Sequence, residues 1–199
     1  MAKPFAIAAV GRAILALLST ACPRDANGFP NAHFELVQAA NFGANAMPEG
    51  IGLYLYRLTP ANNIRNQPAR LGPDGRRYRP SFSVDLHYLL IAFASDAFKQ
   101  QRLLGWAVRT IEDTPVLPAS LINTIGPEHD LFAPTEAVDV IMETLSVQDL
   151  TSVWEVGKPA IQPSAPYVVR MLNVDSDLEI TEHAPVQTRV FEAGKVVEP

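Results

Sequence analysis

Cysteine is nearly missing from this sequence. Cys22 stands alone in 199 residues, so no intramolecular disulfide braces the fold and packing has to hold it. A lone thiol suits assembly in a reducing, cytoplasmic setting. Long uncharged apolar runs are missing as well. The strongest candidate, AIAAVGRAILALLSTAC near the N-terminus, is interrupted by Arg12 and has Ser19 three positions before Cys22. A leader peptide keeps its apolar core uncharged, and a membrane span needs roughly 20 apolar residues. Ile7, Val10, Ile14, Leu17 and Leu18 instead recur at helical spacing, which predicts an amphipathic helix lying on a core rather than a targeting segment. No membrane partner is expected. With 48% hydrophobic and 19% charged residues, disorder is excluded and one sizeable core is expected.

The net charge of −5 is unevenly spread. Residues 1–110 hold 12 Lys/Arg against 6 Asp/Glu, whereas residues 111–199 hold 4 against 15. Such a chain either presents opposite charges on opposite surfaces, which suits head-to-tail contacts between copies, or interleaves its halves in space and cancels them.

Hydrophobic periodicity outlines the elements. After the first helix and a turn-rich CPRDANGFPN, HFELVQA reads as a short strand and GIGLYLYRL (50–58) as a firmer one. From Thr59 to Pro80 apolar periodicity vanishes, and Asp74-Gly75 marks a tight turn in a long loop that folds back as a hairpin. SFSVDLHYLLIAF alternates, with Phe82, Val84, Leu86, Tyr88 and Leu90 on one side and Ser81, Ser83, Asp85 and His87 on the other. A helix follows, with Phe98, Leu103, Leu104, Ala107, Val108 and Ile111 as its apolar stripe, Asp96 as N-cap and Pro115 beyond its end. EAVDVIMETL is a strand, SVQDLTSVWEVG a short helix opened by Ser146 and Asp149 and ended by Gly157, and PSAPYVVRMLNV another strand. The fold class is therefore α+β, with a largely antiparallel twisted sheet and packed helices. Residues 1–175 form the main domain, and 176–199 an acidic tail in which TRVFEA is a candidate strand.

Asp85 and His87 share a strand face, as an acid–base pair would. No G-x-S-x-G elbow or Cys–His arrangement accompanies them, and residues in a row along one strand do not converge on a reacting atom. No catalytic residue is assigned. The four histidines are scattered, and Asp175, Asp177 and Glu179 begin like a calcium loop without its central glycine or terminal glutamate. Gly50-Ile51-Gly52 lacks a third glycine and enters a strand, so neither metal nor nucleotide cofactor is expected. The loop 59–80 carries Arg65, Arg70, Arg76, Arg77 and Arg79 around Tyr78. These five arginines are the candidate interaction site. Phosphate or single-stranded nucleic acid would suit them, but an acidic chain favours a protein partner.

Five segments in this order resemble the cap, or tail-terminator, proteins of phage-tail-like contractile injection systems. They are GLYLYRLTPANNIRNQP (52–68), PSFSVDLHYLLIAFASD (80–96), RLLGWAVRTIEDTPVL (102–117) and LSVQDLTSVWEVGKPAIQPSAPYVVRML (145–172), with AIAAVGRAIL matching more loosely. The resemblance implies a structural role: a homohexameric ring that ends the inner tube and anchors the last sheath layer, inside a particle that is later released. Its implied partners are further copies of itself and the tube and sheath subunits. Ala165-Pro166 before Tyr167 departs from the family pattern and puts pairing at the start of that strand in question, since proline lacks a donor. The alternatives are a nucleic-acid-binding module using the 59–80 loop, and an enzyme using Asp85 and His87.

Overall fold

The computed structural model describes residues 2–42, 47–61, 68–72, 74–125, 130–155 and 161–180. In chain order the elements are α1 (Ala6–Ala21), β1 (His33–Leu36), β2 (Gly50–Pro60), β3 (Arg70–Leu71), β4 (Arg77–Tyr78) and β5 (Phe82–Phe93). Next come α2 (Ala97–Asp113), β6 (Val116–Pro118), α3 (Ala119–Ile122), β7 (Ala137–Met142), α4 (Val147–Glu155) and β8 (Ser164–Val174). Six strands form one sheet in the order β1-β2-β5-β8-β7-β6, and β3 and β4 make a separate hairpin. Only β1 and β2 run parallel; every other neighbouring pair is antiparallel.

Period-two alternation splits the sheet's side chains between two cores. On one face, Val84, Leu86, Tyr88 and Leu90 of β5 pack with Val10, Ile14 and Leu18 of α1, Leu103, Ala107 and Ile111 of α2, and Ile122 of α3. Gly11 brings α1 close to the sheet: a Cβ there would sit 2.9 Å from the Leu36 side chain and 3.2 Å from the Tyr88 hydroxyl. On the other face Leu89, Ile91 and Phe93 meet Phe42 and Trp154. The second half of β5 is thus covered on both sides, as its unbroken apolar run requires.

The predicted caps are present. Lys99 N–H donates to Asp96 Oδ1 at 2.9 Å, and Asp149 N–H donates to Ser146 Oγ at 3.1 Å while the serine hydroxyl donates to Asp149 Oδ2 at 2.6 Å. Gly157 and TRVFEA lie outside the described residues.

Two expected apolar positions differ. Phe98 is 74% exposed, beneath the Arg102 guanidinium at 5.8 Å, and the buried polar residue of that helix face is Gln100, which donates to Ala92 O at 2.7 Å and to Gln162 Oε1 at 2.6 Å. Phe98 lies in the helix's first turn. Phe82, the first residue of β5, is exposed as well.

Pro166 is accommodated inside the sheet. It pairs with Leu89 of β5, and its carbonyl accepts from Glu143 N–H at 2.9 Å. Because a strand residue's N and C=O point to the same side, the missing N–H faces β7 where that ladder ends, and no bond to β5 is lost.

Asp85 sits at a bulge. Val84 pairs with Leu172 and Leu86 with Val169, so Arg170 and Met171 together oppose the single Asp85. Met171 adopts φ 55°, and its N–H donates to Asp85 Oδ1 at 2.8 Å. The carboxylate holds a backbone turn that an L-residue adopts at a cost of roughly 1–2 kcal/mol. Asp85→Ala is expected to lose about 0.5–1.5 kcal/mol, the net contribution of one hydrogen bond, because the freed Met171 N–H is exposed and passes to water. Met171→Gly, at an exposed position, is expected to be neutral or up to about 1 kcal/mol stabilising. Urea unfolding checks both, and a Met171→Gly loss beyond about 1 kcal/mol would contradict the strain argument.

Candidate interaction surface

The arginine-rich loop folds as a hairpin. Arg70 pairs with Tyr78 and Leu71 with Arg77, with Asp74 and Gly75 (φ 76°) at the tip. The turn uses glycine where the backbone is left-handed, and Asp74 closes it by accepting from Arg76 N–H at 3.1 Å and from the Tyr78 hydroxyl at 2.6 Å. That second bond holds the Asp74 carboxyl below its ordinary value and, reciprocally, the Tyr78 phenol above its own. The two shifts together favour the hairpin over a wide pH window. A lowered carboxyl favours the folded hairpin until pH falls through the folded value, and a raised phenol favours it until pH rises through its own folded value.

The start of the acidic tail lies against this hairpin. Arg79 N–H donates to Leu178 O at 2.9 Å and Ile180 N–H to Arg77 O at 2.8 Å, which places Glu179 opposite Tyr78. Residues 178–180 therefore pair with β4 within the chain. Asp175 and Glu179 are ligands for arginine: Arg70 Nε lies 3.4 Å from Asp175 Oδ2, and Arg76 donates through Nη1 to Glu179 Oε2 at 3.2 Å. Arg70 also stacks over the Tyr78 ring at 4.8 Å and donates to Ser176 O at 3.1 Å. The Arg70–Asp175 pair is 17% and 11% exposed, against 62% and 50% for Arg76–Glu179. The first is shielded enough to fix the tail, and the second contributes little.

Strand alternation then divides the hairpin into two faces. Arg70, Tyr78 and Glu179 share one, where the Arg70 guanidinium lies beside Asp175. Leu71, Arg77 and Ile180 share the other by cross-strand pairing, with Arg79 and Leu178 alongside. Leu71 is 70% and Leu178 59% exposed, and Arg77 and Arg79 are exposed as well. Two apolar side chains beside two cations on a projecting hairpin make an adhesive surface. Arg65 lies outside the described residues, so the hairpin brings together four of the five candidate arginines, with Arg77 and Arg79 on the outward face, Arg76 exposed beside Glu179 and Arg70 shielded.

The Asp85/His87 face is a hydrogen-bonded network. His87 is buried, with Nδ1 2.8 Å from Glu143 Oε2 and Nε2 2.9 Å from Thr59 Oγ1; the Tyr56 hydroxyl donates to the same Glu143 oxygen at 3.2 Å. Burial first, and Glu143 beside it, push the Tyr56 phenol above the usual tyrosine range. Thr59, His87 and Glu143 are ordered like a hydroxyl, its base and the base's orienting carboxylate, a grouping the sequence hides because Glu143 is 56 residues from His87. The groove of about 380 Å³ on this side is lined by Tyr54, Tyr56, Arg57, Leu145, Asp149, Ser152 and Val153. It opens beside the three groups rather than onto the hydroxyl. Tyr56 is the extra residue of a bulge between Leu55 and Arg57, so the network pins an irregular strand. No helix among the described residues is long and apolar enough to cross a membrane.

With that geometry in hand, a family profile described as the Pvc16 N-terminal domain matches residues 9–188. The chain belongs to this family. A search of curated proteins finds no match. Among solved structures, the fold is similar to the sheath/tube terminator of PVC, an extracellular contractile injection system, in its extended state. The TM-score is 0.60 at 14% identity, over 96% of this chain and 64% of that one. It is also similar to the tube-terminating cap of the anti-feeding prophage, with TM-score 0.57 and 12% identity over 91% of this chain and 60% of that one. The chain thus spans a little under two thirds of each of these proteins. Family membership and the shared α+β fold agree with the resemblance read from the sequence.

Proposed function

We propose that this chain is a structural cap: copies of it form a homohexameric ring on the inner tube of a contractile injection particle, end tube growth and hold the last layer of sheath. The observation that carries the reading is the likeness of nearly the whole chain, 96% of it, to a protein described as a sheath/tube terminator, together with membership of the Pvc16 N-terminal domain family. The surfaces support it. A terminator needs adhesive faces rather than a reaction cleft, and the outward face of the hairpin, with Leu71, Leu178, Arg77 and Arg79, is one such face. It is the surface proposed to meet tube or sheath. Arg70 is taken up by Asp175, which removes part of the cationic footprint that a nucleic acid would need. The buried His87 network supports a structural role over an enzymatic one. Assembly is proposed to occur in the cytoplasm before the particle is released.

The test is electron microscopy of particles from producing cells that lack the chain. Tubes of irregular length without a terminal ring are expected, with uniform length and six-fold end views returning when the chain is resupplied. Normal capped particles in its absence would overturn the reading.

A further inference from the structure

Strand order sorts the chain's two charge halves to opposite edges of the sheet. β1, β2 and β5 come from the basic first half, and β8, β7 and β6 from the acidic second half. Between Arg109 and Lys158 the chain holds no lysine or arginine and nine acidic residues, so β6, β7 and their connections carry no cation of their own. The uneven charge therefore survives folding at the edges, although the hairpin and tail cancel part of it.

Both edges are short and leave neighbouring backbone uncovered. β1 spans His33–Leu36 and covers β2 only up to Leu53, so β2 is an open edge beyond that point. A groove of about 850 Å³ runs between α1 and β1, lined by Arg12, Arg24 and His33 with Glu35 as its one carboxylate. Arg24 is anchored by donating to Ala32 O at 2.7 Å, and Arg12 is exposed. Leu36, which lines the groove, is exposed. At the far edge, β6 spans only Val116–Pro118 and its pairing with β7 stops at Asp139, so Ile141 and Met142 lie beyond its cover. Val116, Ile141 and Met142 are exposed there, and Val116 and Asp139 share a face. Arg109 pairs with Asp113; Arg170, in register with Asp139, forms no ion pair with it. Asp139 is thus a carboxylate with remaining capacity at an apolar edge.

We propose that the Asp139 edge of one copy seats against the Arg12 edge of the next, an acidic apolar rim meeting a basic apolar groove. The contact is heterologous, with different surfaces on the two sides, and repetition of such a contact gives a ring where the rotation closes and an open chain where it does not. It rests on the ring reading above and supplies the joint between copies. The partner is a second copy because each edge complements the other in both charge and apolar content.

Sedimentation of the full chain at millimolar subunit concentration tests it. Arg12→Glu and Asp139→Arg are each expected to weaken self-association about tenfold or more by placing like charges across the joint. An equimolar mixture should recover wild-type association, because in alternating order every joint again pairs opposite charges. The milder Arg12→Gln and Asp139→Asn, which place no like charges together, should each weaken it a few-fold, with only partial recovery on mixing, because every second joint then pairs Asp139 with Arg12 as in the wild type. Wild-type chain that stays monomeric, reversals that associate like wild type, or a mixture no tighter than its components would overturn the proposal. Six-fold rings that persist in Arg12→Glu would remove this joint and keep the ring. Charge-rescued dimers or open chains that never close would keep the joint and remove the ring.

Discussion

Trp154→Ala is expected to cost about 3–5 kcal/mol, the range for emptying a buried aromatic site, while Trp154→Phe should stay within about 1 kcal/mol of wild type. Trp154 is 1% exposed and fills the space between α4 and the sheet, 4.9 Å from the Phe42 ring and in the same cluster as Leu89, Ile91 and Phe93. α4 is short, spanning Val147–Glu155, and Trp154 is its only fully buried residue. A nine-residue helix does not hold in water without tertiary packing, so the alanine variant should lose α4 as well as side-chain contacts. The indole Nε1–H is buried and finds no acceptor among the described residues. Phenylalanine keeps most of the ring and removes a donor whose burial costs about 1–3 kcal/mol, which offsets the lost contacts. A typical domain is stable by only about 5–15 kcal/mol, so the alanine change should be visible as a lowered urea midpoint and faster amide exchange in 147–155. Equal losses for alanine and phenylalanine would mean that the N–H matters more than the packing.

How much of this was legible in the sequence follows from the range of the interactions. Elements set by local chemistry were readable: the Asp96 and Ser146 caps, the Asp74-Gly75 turn and the alternation of β5 each depend on residues within a few positions of one another. What stayed hidden depends on partners far along the chain. Asp85 and His87 looked paired because they are two apart on a strand. Their actual partners are the Met171 N–H, 86 residues away, and Glu143, 56 residues away. The bulges opposite them shift the register without leaving a local mark. Arg70 and Arg76 looked like two of five equivalent cations until the return of residues 175–180 to the hairpin set Asp175 and Glu179 beside them. Even the carboxylate spacing that suggested a calcium loop, Asp175 and Glu179 on either side of Asp177, finds its use in reaching those two arginines. The charge split between the halves was plain, but its placement at opposite sheet edges needed the strand order β1-β2-β5-β8-β7-β6.

The two hairpin faces should answer differently to the same change of charge. Arg77→Glu with Arg79→Glu reverses the outward face. No large loss of stability is expected, because surface substitutions away from buried partners usually stay within about 0.5 kcal/mol each, yet capping should fail, with long irregular tubes in micrographs of producing cells. The loss should be nearly complete, since like-charge contact at an interface costs several kcal/mol against about 1.4 kcal/mol for each tenfold in binding. Arg70→Glu, on the closed face, should act in the opposite order. It places a carboxylate against Asp175 in a pair only 17% and 11% exposed, removes the stacking over Tyr78, and frees residues 176–180 from β4. Amide exchange at Ile180, whose N–H is held by Arg77 O, reports that release directly, and any effect on capping then comes through the lost tail. Normal capping by the Arg77/Arg79 double variant would remove the outward face from the assembly. Unchanged protection at Ile180 in Arg70→Glu would mean that the backbone pairing, and not the arginine, holds the tail in place.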